Sequence, residues 1–142
     1  MKMLMQDDGD KLLPSRTRDR YWIETTNPSG AWSENSGKWL LFVPAGRIDA
    51  GWKVVRQETQ SGRLGVAAKV ATALQNPLAT NQRTRLICVY TYDCDDLQDV
   101  RRVRQRLREL GFTKKIPYKT DAATRAGKYT ANGNSKVSLF FE

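Results

Sequence analysis

Histidine is absent from all 142 residues, and cysteine occurs only twice, as Cys88 and Cys94. The missing imidazole removes the Ser-His-Asp and Cys-His nucleophile pairs and any His general acid or base. Without His, two thiols cannot complete a tetrahedral zinc site within one chain, nor do they make a disulfide framework. No apolar run approaches the roughly 20 residues that span a bilayer. The longest, Leu86–Tyr92, has the length of a buried strand. The opening residues do not read as a secretory leader, because Asp7, Asp8 and Asp10 interrupt them. The expectation is a soluble protein of a reducing, cytoplasmic compartment.

Negative charge is in short supply. Fifteen Asp and Glu face 24 Lys and Arg, a formal net charge of +9. An excess of this size suits an anionic partner such as a nucleotide, RNA or a phosphorylated protein, and also serves solubility alone. A membrane partner is not expected. The length fits one domain, since roughly 100–150 residues bury a single core.

Residues 1–19 are polar, lack a lasting period and read as a flexible arm, made basic at its end by Arg16, Arg18 and Arg20. Residues 20–142 read as the domain. Tyr21-Trp22-Ile23 has strand composition, and residues 27–37 are rich in turn formers. Lys38–Val43 is apolar on both faces, as a central strand is. Asp49 is placed to cap a helix with Trp52, Val55 and Thr59 on one side, stopped by Gly62. Residues 64–71 alternate with period two, and their alanines leave a helix over 66–75 open. Leu86–Tyr92 is the clearest strand. A helix follows with Leu97, Val100, Val103, Leu107 and Leu110 on its apolar stripe, closed by Gly111. Short strands are expected around Ile116–Lys119 and Lys136–Phe141. The order β-β-α-β-β-α-β-β is not a βαβ alternation. It implies an α+β domain, a mostly antiparallel sheet with two main helices on one face.

Several cations stand at the ends of these elements: Lys38, Lys53, Arg63, Lys119 and Lys128. Converging on one rim, they would hold phosphate through charge-assisted hydrogen bonds. Trp32, alone in a Gly/Ser/Asn loop, either plugs the core or stacks on a ligand. Arg101, Arg104 and Arg108 share one helical stripe, which is either a partner-docking surface or a solvated face. Asp93, Asp95, Asp96 and Asp99 lack the spacing of a calcium loop, and helix capping accounts for two of them. No metal and no cofactor are expected.

The segments Gly37–Val43, Gly62–Thr72, Ile87–Thr91, Val100–Arg104, Leu107–Gly111 and Tyr118–Thr124 resemble the basophilic leukaemia-expressed protein family, in the same order over roughly residues 20–142. The resemblance implies a fold like that of the cap-binding translation initiation factor, which stacks a methylated guanine between two tryptophans and holds its phosphates with Lys and Arg. Trp39 and Trp52 occupy core positions, which leaves Trp32 and Trp22 as rings for a ligand. A fainter similarity links the family to phosphothreonine lyases, whose Asp-x-Trp-Lys pattern resembles Asp49-Ala50-Gly51-Trp52-Lys53 shifted by one residue. It implies Lys53 as the proton-abstracting base, with phosphate held near Lys38, Arg63, Lys119 and Lys128. Those lyases carry a His two residues after their counterpart of Lys38, and Leu40 stands there. The expectation is therefore a binding module for a phosphate-bearing ligand, a nucleotide, RNA end or phosphopeptide. A lyase-like enzyme and an arginine-helix interaction module are the alternatives.

Overall fold

A computed structural model describes residues 12–74, 83–122 and 139–142. Six strands form one sheet: β1 (Trp22–Thr26), β2 (Gly37–Pro44), β3 (Ala67–Ala71), β4 (Thr84–Thr91), β5 (Pro117–Thr120) and β6 (Phe140–Phe141). Their spatial order is β1-β3-β4-β2-β5-β6, and every pairing is antiparallel. Helix α1 (Ile48–Gln60) follows β2, and α2 (Leu97–Glu109) follows β4. The class is α+β, as the element order implies. The alternation over residues 64–71 resolves as strand β3. Of the expected last strand, residues 136–138 lie outside the described residues.

Both helices share one core with one side of the sheet. Ile23, Trp39, Leu41, Ala68, Val70, Ile87, Val89 and Tyr118 project from alternate strand positions. Against them pack Ile48, Trp52 and Val55 of α1 and Val100, Val103 and Leu107 of α2. Trp39 is the keystone: its Nε1 donates to the Val100 carbonyl at 3.0 Å, and its ring meets Tyr118 edge-on at 5.0 Å. Tyr118 in turn shares a 2.6 Å hydrogen bond with Thr91. Gly62 and Gly111 follow the two helices with φ of +82° and +105°, the left-handed region a side chain disfavours.

One local expectation is corrected. Asp49 does not cap α1, which starts one residue earlier without a side-chain cap. Its carboxylate instead accepts the backbone N–H and hydroxyl of Ser15, at 2.9 and 2.6 Å. This ties a 3-10 turn, Pro14–Arg16, to the helix. Of the arm expected at 1–19, residues 12–19 are described. There Pro14 is buried, its carbonyl accepts from Ala73 N at 2.9 Å, and Thr17 is buried too. Among the described residues no helix is long and apolar enough to cross a membrane.

Candidate functional site

Strand residues point alternately to the two faces of a sheet, so the half of each strand that avoids the core builds a second surface. Register sets its rows. Thr26, Ala67, Tyr90, Lys38 and Lys119 are successive cross-strand partners over five strands. Glu24, Lys69, Cys88 and Leu40 form the next row over four. Three lysines thus share the face that turns away from the helices.

Antiparallel connectivity brings the β1–β2 loop, the α1–β3 loop, the β4–α2 loop and the end of β5 to one end of the sheet. Trp32 lies in the first of these. Its loop is pinned to the β4–α2 segment by Ser33 N donating to the Tyr92 carbonyl at 3.0 Å and Cys94 N donating to that of Asn35 at 2.6 Å. The Trp32 ring stands 5.5 Å from the ring of Tyr90, tilted by 57°, and the residue is 51% exposed. A cavity of about 220 Å³ opens beside this pair, lined by Glu24, Thr26, Ala67, Lys69, Trp32 and Tyr90 among others. The Lys69 ammonium also lies 4.1 Å above the ring of Trp22. Trp32 therefore does not plug the core.

Lys38 is more constrained than a free phosphate ligand. Its side chain is 11% exposed, its ammonium donates to Asp121 Oδ1 at 2.7 Å, and it sits 5.5 Å from the Tyr90 ring centre. Ser36 Oγ donates to the other Asp121 oxygen at 2.5 Å. The carboxylate offsets the repulsion between Lys38 and its cross-strand neighbour Lys119. Burial pushes the Cys88 thiol up to about 11, against the pull of nearby Lys69 and Lys38, and raises the Tyr90 hydroxyl as well.

The acidic loop after β4 is built by turn chemistry. Asp93 accepts from Asp95 N at 2.9 Å, and Asp96 caps α2 by accepting from Asp99 N at 3.1 Å. Asp96 also accepts the Tyr92 hydroxyl, which raises the tyrosine to about 12 and lowers the carboxyl. Ligand atoms of Asp93, Cys94 and Asp95 lie within 4.8 Å of one another, but Asp95 is engaged by Asn35 Nδ2 at 3.3 Å.

The five cations expected to converge do not all do so. Lys38 and Lys119 are neighbours, and Trp32 joins them at the same end of the sheet. Lys53 is exposed on α1, across the sheet from Lys38 and Lys119. Arg63 belongs to an ion network between the helices. It donates to Glu58 at 3.3 Å, and Glu58 also accepts from Arg106 at 2.8 Å. Lys128 lies outside the described residues. Lys69 and Glu24 are the members that sequence reasoning missed. The period-two alternation puts Lys69 on one face with Ala67, but only the register with β4 shows that Tyr90 shares it.

The arginine stripe is corrected as well. Arg104 is 1% exposed, and its guanidinium donates to the carbonyls of Glu142, Phe112 and Lys114 at 2.8, 2.9 and 2.7 Å. Its guanidinium is taken up by this chain's own backbone. Arg101 is half exposed, 3.6 Å from Glu142 and over the Phe140 ring, and Arg108 is exposed.

The family model for basophilic leukemia-expressed protein Bles03 matches residues 24–127, which takes in the last three residues of β1, β2 to β5, both helices, Trp32 and all three lysines of the far face. The chain belongs to the Bles03 family.

Proposed function

We propose that the protein is a binding module for a phosphate-bearing ligand that also carries a flat base, a nucleotide or an RNA end. One observation carries the reading. A half-exposed tryptophan, held in place by backbone hydrogen bonds, stands at the mouth of a cavity that also contains a lysine. The exposed face of Trp32 offers a stacking surface worth about 1–3 kcal/mol per base. Lys69 supplies a point charge for phosphate, and Lys119 stands in the adjoining row beside Lys38, whose charge Asp121 already pairs. Glu24 gives the same cavity a hydrogen-bond acceptor for base N–H groups. This arrangement agrees with the stacking and phosphate-holding chemistry that the cap-binding-like resemblance implies. A β-elimination reaction has no such support, because Lys53 stands apart from the lysine rows and no histidine exists to act as the acid.

Calorimetric titration with a nucleoside, inorganic phosphate, the corresponding nucleoside 5′-monophosphate and a phosphothreonine peptide tests the reading. The nucleotide is expected to bind more tightly than either of its parts and more tightly than the peptide. Equal affinity for phosphate alone would remove the base from the recognition, and preference for the peptide would overturn the reading.

A further inference from the structure

The open part of the far face lies toward β1. Leu40, Cys88 and Ala67 on the inner strands are buried, whereas Glu24 and Thr26 on β1 are exposed and Trp22 and Lys69 are half-buried. Glu24 and Lys69 are cross-strand partners, and Trp22 with Ala71 is the next pair on the same face. The backbone bonds at the two ends of the ladder fix the kind of pair. Asn27 N donates to the Val66 carbonyl at 2.8 Å, and Thr72 N donates to that of Tyr21 at 3.1 Å. The hydrogen-bonded positions are therefore Tyr21, Ile23, Thr25 and Asn27. Glu24 and Lys69 form a non-hydrogen-bonded pair, the kind whose side chains stand closest. Opposite charges placed so ordinarily join.

Here they do not. The Lys69 ammonium is turned along the diagonal to Trp22, 4.1 Å from its ring centre, and among the described residues no ion pair joins it to Glu24. Ala71, opposite Trp22, is small and leaves the ring room to lean that way. A cation over an indole and an exposed ion pair are attractions of similar strength, so the ring competes with the carboxylate for the ammonium. The outcome matters for the cavity, which is lined by Glu24 and Lys69 and not by Trp22. A closed Glu24–Lys69 pair would carry no net charge, and its carboxylate would repel a phosphate. Held apart, the same two groups offer a cation at one point and an acceptor at another.

We infer that Trp22 is a positioning residue of the nucleotide site: it holds Lys69 off Glu24, so that the ammonium meets phosphate while the carboxylate meets the base. This inference rests on the nucleotide-binding reading above and deepens it.

The test uses the full chain and calorimetry at low salt, with the four ribonucleosides and their 5′-monophosphates. The quantity read is the gain in affinity from nucleoside to nucleotide for the base that binds best, because general damage to the fold weakens both ligands and leaves this ratio unmoved. Trp22→Leu is expected to lower the gain about fivefold, and Trp22→Phe, which keeps a ring, to retain at least half of it. Adding Glu24→Gln to Trp22→Leu removes the competing carboxylate and should restore the gain to within about twofold of wild type. Glu24→Gln alone should change it by less than about twofold. In the free protein, nuclear magnetic resonance should show the Lys69 side-chain methylene protons shifted upfield by the ring, with Lys69→Met assigning them and Trp22→Leu abolishing the shift. A gain that survives Trp22→Leu, or an equal effect of Glu24→Gln in both backgrounds, overturns the positioning role and leaves the nucleotide reading standing. Unshifted Lys69 resonances overturn the contact itself. No gain from phosphate with any of the four bases overturns the nucleotide reading and this inference with it.

Discussion

Arg104 offers the sharpest perturbation of the fold, because its surroundings set the size of the effect. The guanidinium is buried and satisfied by three backbone carbonyls from three places: residue 112 after α2, residue 114 before β5, and the C-terminal residue 142. Each hydrogen bond from a charged donor is worth about 1.5–3 kcal/mol, and a buried carbonyl that loses its donor costs about 1–3 kcal/mol. The three are not additive. Arg104→Met keeps the stem that packs in the core stripe and removes only the charged fork. The expected loss is about 3–5 kcal/mol, a third or more of the stability of an ordinary domain. Arg104→Lys should recover only part of it, since an ammonium cannot reach three diverging carbonyls. Urea unfolding followed by circular dichroism reads the effect as a drop of about 2 M in midpoint. Arg101→Met and Arg108→Met, on exposed positions, should each move it by less than about 0.5 kcal/mol. If Arg104→Met behaved like those two, the C-terminal anchoring described for Arg104 would be wrong.

Other consequences follow from single contacts. A Cβ on Gly65 would lie 1.9 Å from the Tyr90 carbonyl oxygen on β4, so Gly65→Ala should cost about 3 kcal/mol and lower Tm by about 9 °C in calorimetry; a change under about 2 °C would contradict the close approach. Hydrogen bonds from Arg106 and then Arg63 hold the Glu58 carboxyl below its ordinary value of 4.5 against the opposing effect of burial. Its contribution is therefore complete above the unfolded pKa and disappears as pH falls through the lower folded value. The stability gap between wild type and Glu58→Gln should shrink from pH 6 to pH 3, and a gap constant with pH would refute the pairing. Cys88 and Cys94 are both buried, and burial raises both thiols. A thiol reagent should find neither in the native protein at pH 8 and both in urea; rapid native labelling of Cys88 would contradict its burial.

The architecture was legible because hydrophobic period survives in a single sequence. Lys38–Val43 and Leu86–Tyr92 carry strand composition over their whole length, and the glycines at 62 and 111 punctuate both helices where expected. Arg104 was harder, because a charge in the middle of a helix reads as solvated. The clue was its spacing: residues 100, 103, 104 and 107 follow the i, i+3, i+4, i+7 rule of a buried stripe. The lysine cluster was only half legible. Ends of elements are visible in sequence, but the face on which each end emerges depends on register. Lys38 and Lys119 share a face because β2 pairs with β5 in one register, while Lys53 and Arg63 lie in the helix layer on the other side of the sheet. In sequence Lys69 is an ordinary strand residue; the pairing of β3 with β4 puts it in the row next to Tyr90.

Stacking on Trp32 is the claim on which the binding reading stands. Trp39 and Trp52 are buried in the core, so a ligand in the cavity should quench the emission of Trp32 first. The decisive measurement is tryptophan fluorescence at low salt during titration with a nucleoside 5′-monophosphate, on wild type and on Trp32→Ala, with affinity for the variant read by calorimetry. Saturable quenching with Kd below about 1 mM, and affinity at least about fivefold weaker in Trp32→Ala, is the predicted result. No saturation below that concentration, or equal affinity in the two proteins, would contradict it.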